Sequence, residues 1–436
     1  MKTFALAALA GAASAATSDH WAVIMAGSNT YSNYRHQADS HHAVKIMLEN
    51  GIPRDQIIHL AYNDIANNYR NPFKGQLFNK PIYADVSEAE VDAANVYDED
   101  HIDYTGTAVN KSNFFKVLLG DDSAAGPVLK SNSESRVFVY FVDHGGAGLI
   151  CTPNSSSDWI YADELDSTLK QMKANGMFKE LVFYLETCES GSMFPNITAD
   201  DNIYAMTASN ATLSSWGAYC GSEAVVDATN VGSCLGDLFS INWMEDTEAN
   251  DPSVETLATQ HTTVTEKTTR SPVQIFGDES FMSEPIGDFQ GTTEMSQMSF
   301  KDKVTHHAHH IYKKATAEDS PSRDLVDSRD IELHYLYQQV IKTGSSEDME
   351  NLQKHLDHRE HIDSLFAQFD DIPNADPFVQ DYDCLRMMVG GVEEMCGPWS
   401  SYSLKYVRKL ADACNALPAD DISKMYVSIG EFCNAI

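Results

Sequence analysis

Two residues capable of nucleophilic chemistry follow two short apolar runs of the sequence. Arg136–Val142 is β-branched and aromatic, and His144 comes two residues after it. Leu181–Leu185 has the same character and is followed closely by Cys188. A thiolate is a strong nucleophile, and an imidazole can take the proton from the thiol or hold it as a thiolate. The pair therefore predicts covalent catalysis by a cysteine.

The elements around these residues must bring them together for this to work. From about residue 19 to 290, short apolar runs alternate with segments of helical spacing, such as one from about residue 38 to 50 and another over 163–175. This alternation predicts an α/β fold, a mostly parallel sheet with helices on both faces. Sites in such sheets form beyond the carboxyl ends of the strands, where His144 and Cys188 would meet. The N–H groups of Gly145 and Cys188 are candidates for an oxyanion hole.

Each residue also has a structural interpretation. His144 alone could be a turn residue, and Cys188 could be a buried thiol or could pair with Cys151. Their joint placement at strand ends, each followed by glycine, favours the catalytic interpretation.

Composition excludes several functional classes. The 436 residues hold 30 Lys and Arg against 64 Asp and Glu, a formal net charge of −34. Binding to nucleic acid or to an anionic membrane requires clustered positive charge, so neither is expected. The length and the 43% of hydrophobic residues are typical of a folded protein with two or three domains.

The N-terminal residues predict secretion. Lys2, an apolar stretch and a small-residue cleavage site have the pattern of a signal peptide over 1–16. No later stretch is long and apolar enough to span a bilayer, so no membrane anchor is expected. Four glycosylation sequons agree with this route; they begin at Asn110, Asn154, Asn196 and Asn210.

Cysteine spacing and a change in sequence composition divide the chain into domains. Cys220 and Cys234 bracket one loop and predict a local disulfide, whereas the four C-terminal cysteines allow three pairings. A catalytic domain is predicted over 17–290, a polar linker over 291–330 and an all-helical domain over 331–436.

Longer motifs resemble the legumain family of asparaginyl endopeptidases, also called vacuolar processing enzymes. The similar stretches are Asp143–Gly146, Tyr184–Met193, Ala26–Asp39, Asn50–Pro53, Asp103–Gly106 and Leu235–Asp246. The resemblance continues into the C-terminal domain and implies a caspase-like core with a helical prodomain. It implies a zymogen of a cysteine endopeptidase that cuts after Asn, and after Asp at acidic pH, in protein and peptide substrates. No cofactor and no metal are implied.

The resemblance also assigns roles to residues. Cys188 would be the nucleophile, His144 the acid and base, and Asn33 the group that orients the histidine. The pocket for the residue before the cut would contain Arg35, His36, Glu186, Ser214 and Asp237. Such a pocket suits a carboxamide, which offers one acceptor and two donor hydrogens. The family pairing would join Cys384 to Cys414 and Cys396 to Cys433.

The linker and helical domain would act as an intramolecular inhibitor that acid releases. Protonation of carboxylates at the interface would weaken their ion pairs. Self-cleavage is expected between residues 291 and 330, with Asp319, Asp324 and Asp327 as candidates. The histidines at 306, 307, 309 and 310 are expected to form a solvated, pH-responsive loop rather than a metal site.

Three alternatives remain at this level. Gly145-Gly146, where plant hydrolases usually carry Gly-Pro, leaves open a peptide ligase on the same scaffold. A glycolipid-anchor transamidase would need a membrane span, and a catalytically silent binding protein would not need the reactive pair. The expected location is the secretory pathway, in a vacuole- or lysosome-like acidic compartment or outside the cell.

Overall fold

A computed structural model describes residues 19–83, 86–292 and 323–434. The predicted signal peptide, the linker histidines and Asp319 lie outside the described residues. The two units described below and the linker between them account for the placement of the candidate site.

A mostly parallel six-stranded sheet forms the centre of the first unit. Its order is β13-β8-β7-β3-β1-β2, and only β13 is antiparallel to its neighbour. The strands of the described chain are β1 (His20–Ala26), β2 (Ile57–Ala61), β3 (Arg136–Val142), β4 (Gly145–Gly146), β5 (Leu149–Ile150), β6 (Ile160–Tyr161), β7 (Glu180–Glu186), β8 (Ile203–Thr207), β9 (Trp216–Ala218), β10 (Val225–Val226), β11 (Thr229–Asn230), β12 (Gly236–Asp237), β13 (Gln274–Gly277) and β14 (Val326–Asp327).

Helices cover both faces of this sheet. The helices of the described chain are α1 (Tyr34–Glu49), α2 (Glu88–Ala94), α3 (Lys111–Leu118), α4 (Ala162–Ala174), α5 (Leu238–Ala249), α6 (Leu257–Lys267), α7 (Gly287–Gln290), α8 (Ile331–Thr343), α9 (Ser346–Ala367), α10 (Tyr382–Cys396), α11 (Val407–Ala416) and α12 (Ala419–Asn434). Side chains of α3 and α4 pack on one face, and side chains of α1, α5, α6 and α7 on the other. The predicted α/β architecture is confirmed.

The C-terminal unit is helical, as predicted, and begins with α8 at Ile331. Its core lies among α9 to α12 and also includes Leu149 and Trp159 of the first unit. Disulfides join Cys384 to Cys414 and Cys396 to Cys433. A third disulfide joins Cys220 to Cys234, beside β9. No helix among the described residues is both long and apolar enough to cross a membrane.

Two local features differ from the sequence prediction. Helix α1 begins at Tyr34, four residues before the predicted start near residue 38, because the polar residues of its first turn are buried instead of solvated. The polar linker also contains a short strand, β14, that pairs with β9. Both differences occur beside the candidate site.

Candidate active site

The candidate catalytic residues emerge at one edge of the sheet. Strands β3 and β7 are parallel neighbours, with Val142 opposite Glu186. His144 and Cys188 each follow their strand by two residues, so the two loops lie side by side. A Cβ built on Gly145 would lie 2.8 Å from the carbonyl oxygen of Cys188, so only glycine allows this close approach. The predicted adjacency of the two strands is confirmed.

Asn33 holds the His144 ring in a defined tautomer. The Nδ2 of Asn33 donates to the carbonyl of Asn29 at 2.9 Å, which points its Oδ1 toward the histidine. The Nε2 of His144 then donates to that oxygen at 2.9 Å. Because Nε2 carries the proton, Nδ1 is the basic nitrogen available to a thiol. Asn33 therefore has the position expected of an orienting residue.

Cys188 is a free, buried thiol that is 2% exposed. The backbone N–H of Ser215 points to its sulfur at 3.4 Å, and the Ser215 hydroxyl lies 3.9 Å away. Burial raises the pKa of Cys188 to about 11, while the nearby Arg329 opposes this increase. Burial also lowers the pKa of His144 well below its usual value. Both shifts favour the neutral forms of the thiol and the imidazole.

Arg35 and Asp237, both predicted to belong to the substrate pocket, form a buried ion pair. The early start of α1 places Arg35 in its first turn, fully buried. Its Nε donates to Asp237 Oδ1 at 2.8 Å, and Asp237 lies at the end of β12. The Asp237 N–H in turn donates to Asp39 at 3.1 Å. These contacts fix both side chains.

Glu186 supplies a second carboxylate at the end of β7. Its Oε2 accepts hydrogen bonds from the N–H and the hydroxyl of Ser240, both at 3.0 Å. Burial and the charge of Asp237 raise the pKa of Glu186 well above its usual range, against the two bonds from Ser240. The side chain is thus held in place but remains short of partners.

Three buried polar atoms of Arg35, Glu186 and Asp237 make no hydrogen bond to any described residue. They are Arg35 Nη2, Glu186 Oε1 and Asp237 Oδ2, the last of which lies 3.5 Å from His36 Nε2. Such atoms are rare in protein interiors because each costs about 1–3 kcal/mol. One donor and two acceptors are the complement of a carboxamide group.

His36 completes the group around the catalytic histidine. Its ring meets that of His144 edge-on, with centroids 5.0 Å apart, and its Nδ1 lies 2.6 Å from Ser28 Oγ. The ligand atoms of His36, Asp143 and His144 lie within 4.8 Å of one another, a spacing that a cation could bridge. One nitrogen of each ring has a hydrogen-bond partner, Ser28 for His36 and Asn33 for His144.

The other predicted residues lie around this centre. Ser214 is half-buried at the rim, whereas its neighbour Ser215, which sequence reasoning missed, contacts the sulfur. Cys151 is the second free cysteine of the described chain and is buried. Of the four sequon asparagines, Asn196 is exposed and the others are half-buried.

The linker strand β14 lies in the cleft. Val326 pairs with Gly217 and Asp327 with Trp216, antiparallel to β9. The N–H of Ser328 continues the pairing to the carbonyl of Ser215 at 3.0 Å. The linker thus occupies the edge of the cleft beside the thiol.

Arg329 follows this strand and is 5% exposed. Its Nη2 donates to Glu189 at 2.5 Å and to the carbonyl of Gly145 at 2.7 Å, and its Nη1 donates to the carbonyl of Ser401 at 2.9 Å. No local pattern in the sequence points to Arg329, since it lies in a polar linker. Glu189 adjoins the nucleophile and could have been flagged on that basis.

The helical domain closes the cleft from the other side. Glu393 accepts from the N–H of Ser156 at 3.0 Å, and Arg386 pairs with Asp163 at 2.5 Å. A cavity of about 650 Å³ lies between the two units, bounded by His144 on one side and by His355 and His358 on the other.

An α/β sheet, a free cysteine and an oriented histidine define a cysteine peptidase whose own C-terminal part covers its site. Comparison with protein families agrees in detail. Residues 20–292 match the model of the peptidase C13 family, and residues 350–433 match the model of the legumain prodomain. The chain belongs to the peptidase C13, or legumain, family and is a cysteine-type endopeptidase with a prodomain.

Several plant enzymes are similar to the chain. The chain is 37% identical to a vacuolar-processing enzyme of Vicia sativa, with 91% of this chain and 82% of the relative aligned. It is 34% identical to the delta-isozyme of Arabidopsis thaliana, over 95% and 90%, and 33% identical to legumain of Canavalia ensiformis, over 95% and 88%. Caspase-1 of Spodoptera frugiperda is a distant structural match, with a TM-score of 0.37 and 9% identity over 64% of this chain and 92% of the caspase.

Proposed function

We propose that this endopeptidase cleaves peptide bonds that follow asparagine. The observation that carries the proposal is the set of three unpartnered atoms on Arg35, Glu186 and Asp237. An asparagine oxygen would accept from the guanidinium, and its two N–H hydrogens would each find a carboxylate oxygen. A glutamine would place the same group one methylene too deep. A hydrophobic side chain would leave all three atoms buried and unpaired.

The reaction proceeds through a thioester on Cys188. The thiol gives its proton to Nδ1 of His144 as the sulfur attacks the carbonyl carbon, and the N–H groups of Gly145 and Cys188 stabilise the oxyanion. The C–N bond then breaks, and the amine leaves with the proton from His144. A water molecule gives a proton to the same imidazole and attacks the thioester. The C–S bond breaks, which releases the acid and restores the thiol.

Aspartate becomes a substrate at acidic pH by the same logic. An ionised aspartate would meet Glu186 and Asp237 and be repelled, whereas a protonated one presents a carbonyl and one O–H and so resembles asparagine. Cleavage after aspartate should therefore increase as pH falls.

The chain is a zymogen whose linker and prodomain block the cleft until acid releases them. The pairing of β14 with β9 and the contacts of Arg329 support this role. Release would follow loss of ion pairs across the interface and cleavage within the linker by the peptidase itself. An acidic vacuole-like compartment of the secretory pathway would supply this pH, in agreement with the names of the plant relatives.

Ligation is not favoured as the main activity. The relatives are named processing enzymes and legumains, and the matching family is a peptidase family. Hydrolysis therefore comes first.

The deciding experiment measures cleavage of peptides that differ only before the bond. After acid activation, kcat/KM for Asn should exceed that for Gln or Ala by about 100-fold or more, because those residues leave buried polar atoms unpaired. Equal rates would refute asparagine specificity. Cys188→Ser, incubated beside the wild type at pH 4–5, should remain at full length by mass spectrometry, and trimming of this variant would refute self-processing.

A further inference from the structure

Glu189 is a buried carboxylate that the mechanism above does not use. It follows Cys188 directly, is 5% exposed, and has a left-handed backbone with φ of 47°. Its backbone N–H donates to the carbonyl of Leu213 at 2.8 Å, which fixes the residue beside the nucleophile. A non-glycine residue in this conformation costs about 1 kcal/mol or more, so the surroundings impose it.

The charge of Glu189 is satisfied by Arg329. The same guanidinium nitrogen, Nη2, reaches the Glu189 carboxylate at 2.5 Å and the Gly145 carbonyl at 2.7 Å. These acceptors come from the loops that carry the nucleophile and the catalytic histidine. Together they form a site for a guanidinium, since one charged and one neutral oxygen converge on one donor nitrogen.

The register of the linker shows which substrate residue this site would hold. Ser328 bonds to Ser215, which contacts the sulfur of Cys188. The peptide bond between Ser328 and Arg329 therefore lies beside the thiol, in the place of a bond to be cut. Arg329 stands on the side of the leaving amine, in the position of the residue that follows the cut.

This site would become vacant on activation. The third contact of Arg329 is the carbonyl of Ser401 in the prodomain. Arg408, another cation whose charge acts on Glu189, also belongs to the prodomain and donates to the carbonyls of Ala211 and Pro377. Loss of the linker and prodomain would leave Glu189 without either arginine.

We propose that Glu189 and the Gly145 carbonyl form a guanidinium subsite that makes the activated protease prefer arginine directly after the cleaved asparagine. This inference rests on the proposed asparagine specificity and adds the substrate feature on the other side of the bond.

The test uses three peptides that are identical except for the residue after Asn, which is Arg, citrulline or Gln. Citrulline has the shape of arginine without its charge, so the Arg-to-citrulline ratio of kcat/KM isolates the ion pair. We expect a ratio of about 10 at pH 6 for the acid-activated wild type, from one charge-assisted contact. The ratio should fall to about 1 in Glu189→Gln.

Glu245→Gln is the matched control. Glu245 also binds a linker arginine, Arg323, at 2.5 Å, but through helix α5 and away from the thiol. Its ratio should match that of the wild type. A measurement without any variant gives a second readout: the peptide Leu-Val-Asp-Ser-Arg-Asp should inhibit the wild type about tenfold better than its citrulline analogue.

The outcomes separate the two proposals. Equal cleavage of all three Asn peptides by the wild type, with equal inhibition by the two analogues, would overturn the subsite and leave asparagine specificity standing. Failure to cleave any Asn peptide would overturn the proposed function and the subsite with it. An Arg preference that persists in Glu189→Gln would overturn the assignment to Glu189.

Discussion

The linker contacts the two sides of the cleft differently: the pocket side, proposed to bind asparagine, and the leaving-group side, which holds the residue after the cut. On the pocket side, the Ser328 hydroxyl lies 3.2 Å from that of Ser215, and buried polar atoms of Arg35, Glu186 and Asp237 make no hydrogen bond. On the leaving-group side, Arg329 satisfies Glu189 and the Gly145 carbonyl. The linker thus fills the site proposed for the residue after the cut and leaves the side proposed to recognise asparagine without a matching side chain. On the proposed specificity, such a strand would be a poor substrate.

The largest effect should come from removing the linker arginine on the leaving-group side. Arg329→Ala removes the ion-pair partner of the buried Glu189, a change that typically costs about 3–5 kcal/mol. We expect acid-induced self-processing, followed on gels at pH 5.5, to accelerate at least tenfold. Arg323→Ala removes a linker arginine that does not lie on the leaving-group side of the cleft, and it serves as the control. Unchanged processing of Arg329→Ala would show that the arginine does not hold the linker.

A second prediction concerns the pocket side, where buried polar atoms make no hydrogen bond. Ser328→Asn should carry a carboxamide to Arg35, Glu186 and Asp237 and turn the linker into a substrate. Mass spectrometry after acid incubation should then find a new cut between residues 328 and 329, at about ten times the level in the wild type. Ser328→Thr, which adds bulk but no amide, should not be cut. An uncut Ser328→Asn would mean that the linker does not sit in the register of a substrate.

Asp143 tests the pH dependence of the pocket side. Burial raises its pKa to about 8, against the effects of the His144 N–H and Arg35. The folded chain therefore keeps a proton that the unfolded chain loses above about pH 4, so this carboxyl destabilises the fold progressively as pH rises toward 8. Asp143→Asn removes that penalty.

The melting temperature of Asp143→Asn should exceed that of the wild type by about 2–4 °C at pH 8 and match it at pH 4. The exposed Asp200→Asn provides a baseline. An equal difference at both pH values would contradict the titration of Asp143.

The smallest expected effect concerns His355, which faces the cavity opposite His144. Burial, then the charges of Arg359 and His358, lower its pKa to about 4, while Asp330 opposes them. Its neighbours are Arg359 at 2.9 Å and Glu332 at 3.9 Å. His355 is neutral when the helical domain is docked. Protonation of His355 therefore favours the undocked form, and docking weakens as pH falls from about 6.5 to 4.

His355→Gln should move the midpoint of acid release down by about half a pH unit, as followed by size-exclusion chromatography in a Cys188→Ser background. His361→Gln, on the same helix but stacked on Phe432, is the control. A midpoint that does not move would assign the acid response to other groups.

The sequence could predict the reactive side of the molecule because its signals are local. The apolar runs before His144 and Cys188 specify two strands, and parallel strands bring their ends together. The start of α1 was missed by four residues because Arg35 and His36 look like solvated residues until tertiary contacts bury them. Spacing left three pairings for the C-terminal cysteines, and the resemblance to legumains selected the pairing that the structure contains.

Arg329 could not be predicted because nothing near it in the chain records its partners. Glu189 lies 140 residues away, and Ser401 lies 72 residues away in the other direction. Ser215 was missed for a related reason, since two adjacent serines in a loop give no indication of which one faces the sulfur. Long-range pairing of polar residues leaves no periodic pattern in the sequence from which it could be predicted.

Only Asp330 separates Arg329 from the first turn of α8. The Arg329 carbonyl accepts from Arg359, whose other nitrogen holds Asp330 at 2.7 Å, so this junction is braced on the next helix. Arg329 is therefore rigidly connected to the helical domain. It cannot leave its site while that domain stays bound, so exposure of the thiol should be an all-or-none event rather than a gradual loosening.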